Sequence, residues 1–123
     1  VFEAQVVQRR RVNAGQSVGY GAKFQATRNI EIAIVGVGYA DGVSQTLSGK
    51  GQLAHKGARL PVLGQISMDL THVDVTEDPD ICVGDWLEVF GATVTLDEVA
   101  EMTGTSGYEI LSRIGSRVSR VYV

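Results

Sequence analysis

The run from Ile30 to Val37, "IEIAIVGV", constrains the fold more than any other stretch of the chain. Its isoleucines at 30, 32 and 34 recur with a period of two, and further on the run is apolar on both faces of an extended strand. Such a segment is a core strand. It runs directly into Gly38, Tyr39, Ala40, Asp41 and Gly42. A tyrosine and an acid among glycines at a strand end are groups of the kind that line sites.

Similar runs surround it. "VFEAQVVQRRRV" is rich in β-branched residues and is followed by the turn "NAGQ", which predicts a strand from Phe2 to Val12. Further strands are expected over 18–27 ("VGYGAKFQAT"), 30–37, Gln52 to His55, 58–67, 70–76 and 84–91. Lys56 and Gly57 form a hairpin turn between two of these, and Pro61 points to an edge or bulge position because proline cannot donate to a ladder. The segment after Gly42, "VSQTLSGKGQ", reads as a surface loop.

Near the C-terminus the period changes. Thr95 as N-cap, Glu98 as its capping-box partner and Gly104 as terminator specify a helix of about two turns. Ser106, Glu109 and Gly115 repeat that logic, and "SRVSRVYV" reads as a closing strand. Many short strands with two short helices predict a mainly β barrel or sandwich, a single domain over residues 1–123.

Composition narrows the function classes. A net charge of −3 gives no general attraction to nucleic acid or to an anionic membrane surface, and no apolar run is long enough to span a bilayer. Cys82 is the single cysteine, so no internal disulfide forms, and His55 and His72 are too scattered to make a metal site with it. A reducing compartment follows. The chain begins with Val1, which is read as the start of a fragment.

Motif searches exclude more than they find. After the "GVG" of 36–38 the next glycine comes one residue late for a dinucleotide fingerprint, and "SGKG" lacks the hydroxyl residue that a phosphate loop needs after Lys50. Neither a nucleophile with a nearby base nor a calcium-loop spacing is present. Tyr20, Tyr39 and Tyr108 remain, each beside a glycine at an element boundary. Taken singly, each reads as a half-buried tyrosine with a satisfied hydroxyl.

The ordered set "VGYGAKFQA", "VGVGYADG", "LPVLGQISMDLTHVDVT", "VGDWLEVFG" and "TLDEVAEMTGTSGYEILSRIGSRVSRVY" resembles the C-terminal domain of alanine racemase over nearly the whole chain. That resemblance implies a pyridoxal-phosphate-dependent enzyme of two domains. An N-terminal (β/α)8 barrel, absent from this chain, carries the cofactor on a lysine, and the C-terminal β domain reaches into the partner subunit's active site. The implied activity is interconversion of L- and D-alanine in the bacterial cytoplasm by a homodimer, for cell-wall peptidoglycan.

Position by position, the resemblance makes Tyr20 the catalytic acid/base on one face of the substrate and Tyr39 a residue at the entrance. Met68 lies near the substrate carboxylate, flanked by Ser67 and Asp69, and Tyr108 hydrogen-bonds the cofactor phosphate. Asp41 keeps two readings, support of the turn before Gly42 or a role at the entrance. Ser67 stands where family members often carry cysteine, Ser119 where proline is common and Lys23 where a small polar residue is common. Lys23, Lys50 and Lys56 are the only lysines and none matches the family's cofactor-lysine motif, so the chain alone is expected to be inactive. The alternatives are a racemase of another amino acid such as serine, or a non-catalytic β domain used for dimerisation.

Overall fold

The computed structural model describes residues 1–18, 24–115 and 118. Eight strands and two helices follow in order: β1 (Phe2–Val12), β2 (Ser17–Val18), β3 (Phe24–Gln25), β4 (Ile30–Val35), β5 (Gln52–His55), β6 (Ala58–Leu63), β7 (Thr71–Asp74), β8 (Trp86–Phe90), α1 (Leu96–Thr103) and α2 (Gly107–Ser112). Six of the strands close into an antiparallel barrel in the order β1-β4-β7-β6-β5-β8, which resolves the expected barrel or sandwich as a barrel. β2 and β3 form a separate two-stranded pair.

The double-sided apolarity of β4 explains this layout. Ala33 and Val35 join Val6, Val62, Val73 and Leu87 in the barrel interior. Ile30, Ile32 and Ile34 face outward and are buried beneath Val18, Ala26 and the partly buried Phe24 of the β2–β3 region. Burial of an isoleucine side chain contributes about 2 kcal/mol, so the outer face holds β2–β3 against the barrel wall. A register shift between Val6 and Gln8 in β1 leaves Val7 exposed.

Several local expectations hold with corrections. Lys56 and Gly57 both have positive φ, 49° and 85°, and join His55 to its register partner Ala58 in a tight hairpin. Because Lys carries a Cβ into that left-handed conformation, Lys56→Asn is expected to raise stability by about 0.5 kcal/mol, read as a higher unfolding midpoint. Pro61 is not at an edge, since β6 has β5 on one side and β7 on the other. It sits opposite Gln52, the neighbouring residues are joined by the bond from Val62 N to Gly51 O, and the β6–β7 register begins only at Val62, so no donor is needed at Pro61.

Both helices are capped on one side of the expected box only. Thr95 and Ser106 accept from the backbone N–H of Glu98 and Glu109. The Glu98 carboxylate turns instead to Arg59 of β6, whose guanidinium bond holds that carboxyl below its ordinary range. Glu109 pairs with Thr105 and Arg113. Gly104 ends α1 in a left-handed conformation as expected, but α2 stops at Ser112 with Arg113 still right-handed. Gly115 is therefore not its terminator. The expected closing strand lies almost wholly outside the described residues.

Candidate active site

The end of β4 builds the site. After Val37 the chain makes a 3-10 turn over Tyr39–Asp41, and this turn is held from three directions. On one side, Tyr39 N and Ala40 N donate to the carbonyls of Ser67 and Met68, both at 3.0 Å. From below, the buried Thr71 hydroxyl donates to Val37 O at 2.7 Å. On the other side, Gly115 N donates to Asp41 O at 3.2 Å.

Glycine is required where these backbones meet. A Cβ on Gly38 would lie inside 3.0 Å of the Ser67 and Met68 carbonyl groups, and one on Gly115 would meet the Ala40 carbonyl just as closely. Gly42 combines a positive φ of 102° with a close approach to Arg113 and Ile114. These contacts bring Tyr39, Ser67 and Met68 to one end of the barrel and dock the chain leaving α2 on the far side of the same turn.

Asp41 is buried, and its Oδ2 accepts from Gly38 N at 3.0 Å, the reverse bond of a capping box. Of its two readings, support of the turn is the one this bond supports. Ser67 is also engaged locally: its backbone N–H and hydroxyl both donate to Leu70 O, and its Oγ accepts from Leu70 N at 3.1 Å. The tight loop leaves Met68 52% exposed and Asp69 on the surface. Tyr39 is 43% exposed.

Tyr108 stands in the first turn of α2, 84% exposed, and its hydroxyl makes no hydrogen bond among the described residues. The half-buried, satisfied tyrosine suggested by composition does not describe it. Tyr20 lies outside the described residues; Val18 and Phe24 on either side of its segment are register partners in the β2–β3 pair.

Sequence reasoning missed the parts that hold the site. Gln45 Nε2 donates to Ile66 O at 3.2 Å and Ser48 Oγ accepts from Ile66 N at 2.9 Å, so the loop after Gly42 braces the residue before Ser67. A cavity of about 500 Å³ opens beside Tyr39, lined by Val43, Leu47, Val99, Ile110 and Arg113 among others. In the sequence, Gly36 and Gly38 are the positions that mark close backbone approach, whereas Gly42 reads as a turn residue and Gly115 as a helix end. His55, which pairs with Asp78 at 2.9 Å, sits at the far end of β5 from this site.

Comparisons with known proteins agree with this architecture. The family described as "Alanine racemase, C-terminal domain" matches residues 1–122. The chain is 42% identical to the biosynthetic alanine racemase of Agrobacterium fabrum over 98% of its own length and 34% of that protein. It is 44% identical to the alanine racemase of Acidiphilium cryptum over 96% of its length and 33% of that protein. The solved alanine racemase from Bartonella henselae, which has covalently bound pyridoxal phosphate, superposes with a TM-score of 0.93 at 42% identity, over 98% of this chain and 34% of that one. The biosynthetic alanine racemase from Pseudomonas aeruginosa gives 0.91 at 42% identity, over 98% and 34%. The chain thus spans about a third of the length of the relatives it matches.

Proposed function

Since the chain belongs to the alanine racemase C-terminal domain family, we propose that it is one domain of a pyridoxal-phosphate-dependent racemase that interconverts L- and D-alanine. The observation that carries this reading is the ordered match over residues 1–122. In it the enzyme is a homodimer of the bacterial cytoplasm, each subunit's N-terminal barrel meets the β domain of its partner, and D-alanine goes to cell-wall peptidoglycan.

The described residues suit a contributory role toward the cofactor. Tyr108 offers an exposed phenol with no partner among them, a donor available to a phosphate group. Lys50 and Lys56 are surface residues that fall outside the family's cofactor-lysine motif, so the covalent anchor belongs to the barrel. When bound, the cofactor acts as an electron sink for the pair left behind as the α-proton departs.

The chain's own chemistry is proton handling and positioning. Racemisation takes a proton from one face of the α-carbon and returns one to the other, so two carriers on opposite faces are needed. Tyr20 is one of them, holding or releasing a proton at its phenolic oxygen. A free phenol has a pKa of about 10, so its use near neutral pH needs stabilising charge or hydrogen bonds, which this reading assigns to the barrel. Met68, between Ser67 and Asp69, presents backbone to the substrate carboxylate, and Tyr39 narrows the entrance.

Co-expression of two full-length variants tests the composite site. One carries Tyr20→Phe and the other lacks the barrel's cofactor lysine. Random mixing leaves one intact site in each mixed dimer, and recovery of roughly a quarter of wild-type activity is expected. No recovery, with mixed dimers shown to be present, overturns donation of Tyr20 across the interface.

A further inference from the structure

We propose that His72 is a positioning residue: from the outer face of β7 it seats the β2–β3 strand pair, the two strands that flank Tyr20 in sequence, while its ring is uncharged. The functional consequence rests on the reading of Tyr20 as a proton carrier; the seating does not.

The geometry begins with register. His72 lies opposite Ile34 on one side and Leu63 on the other, and cross-strand partners share a face. Ile34 and Leu63 belong to the outer apolar cluster that Val18, Ala26 and Phe24 cover. His72 therefore stands at the margin of the surface on which β2–β3 rests. Its Nδ1 is buried and has no hydrogen-bond partner among the described residues. A bare ring nitrogen in that place lacks only a donor, whereas a proton on it would be a buried cationic N–H with no acceptor.

Among the described residues, the charged groups on this face do not relieve such a proton. Asp74, two residues along β7, accepts from Thr76 N and Oγ1 at 2.9 and 2.6 Å, and its other oxygen faces Arg28 at 3.8 Å. Arg10 of β1, opposite Ile32 on the same face, repels a cationic ring. Ile34 of β4 and Leu63 of β6 carry no charge, nor do the described residues of β2 and β3. Burial first and Arg10 second lower the His72 pKa.

β2–β3 is the element that would respond. It has two register pairs, Ser17 with Gln25 and Val18 with Phe24. Two further backbone bonds join Gly15 and Gln16 to Ala26 at 2.7 and 2.9 Å. Such a small unit opens more readily than the barrel ladders. Because the seated state prefers neutral His72, seating is complete above the ordinary imidazole pKa of about 6.5 and is lost as pH falls below it.

Hydrogen exchange in the full-length protein tests this, with rates normalised to intrinsic exchange and compared at about pH 7.5 and about pH 5. In the wild type, peptides over residues 13–18 and 24–27 are expected to exchange at least about threefold faster at the lower pH, since each unit of pKa separation is a factor of about ten in the seating equilibrium. His72→Phe should abolish that response, and His72→Gln, which keeps a polar group without titrating, should do so too and guards against misfit of the phenyl ring. The same response in all three proteins, or one spread equally over β5 and β6, overturns the proposal. Racemisation measured alongside should lose its acid limb at lower pH in both variants than in the wild type. If exchange responds as expected while the acid limb stays put, the seating by His72 stands and the assignment of Tyr20 is what fails.

Discussion

Tyr20→Phe in the full-length protein is expected to lower kcat for racemisation by about 10²- to 10⁴-fold in both directions, the range for loss of a positioned acid–base group. The substitution removes one oxygen and keeps the ring, so KM for alanine should change by less than about threefold if the loss is confined to the proton-transfer step. Each direction needs both faces of the α-carbon, and removal of one carrier therefore stops both. Exchange of the α-proton with solvent needs only one face. In deuterated water the variant should still wash deuterium into the enantiomer whose proton leaves toward the carrier supplied by the barrel, while the opposite enantiomer neither exchanges nor racemises. That asymmetry separates a missing proton carrier from a damaged fold, which would slow all four processes together. Retention of wild-type kcat would favour the alternative of a β domain used for dimerisation alone.

How far the fold was legible depended on how local its signals are. The span of β1, the span of β5, the Lys56-Gly57 hairpin and the N-caps at Thr95 and Ser106 all rest on contacts within a few residues, and they appear as read. What failed was decided at a distance. Glu98 leaves its half of the capping box for Arg59, 39 positions away, because a guanidinium bond outweighs a return to the helix end. Pro61 is accommodated inside a closed barrel because of where the β6–β7 ladder begins, which no rule about proline alone reveals. The period of two in Ile30, Ile32 and Ile34 marked a buried face correctly, but not that β2–β3 would be what covers it.

Of the candidate site, the sequence offered residue names and the structure adds their neighbours. Backbone bonds set Tyr39 and Ala40 beside Ser67 and Met68, and the Thr71 hydroxyl on Val37 O and the docking of Gly115 on the 3-10 turn are visible only in three dimensions. Gly36 and Gly38 look alike in sequence. Their surroundings differ, and that difference is the basis of the second large prediction.

Gly38→Ala is expected to cost about 3 kcal/mol, the upper part of the usual range for overpacking. The new methyl would fall inside 3.0 Å of the Ser67 and Met68 carbonyl groups. These are backbone atoms, and neither can rotate away. Relief requires the 67–68 loop and the 3-10 turn to separate, which stretches the bonds from Tyr39 N and Ala40 N and moves Tyr39 relative to Met68. A rise in KM for alanine of about tenfold or more should accompany the lower unfolding midpoint, since small misplacements in a site are costly. Gly36→Ala is the matched control: its Cβ would meet the Val7 side chain at 3.2 Å and Gln5 O at an ordinary 3.6 Å, and Val7 is exposed and free to shift. That variant should lose less than about 1 kcal/mol and keep its KM. Equal effects of the two substitutions on midpoint and KM would show that the packing of Gly38 against Ser67 and Met68 does not hold the entrance together.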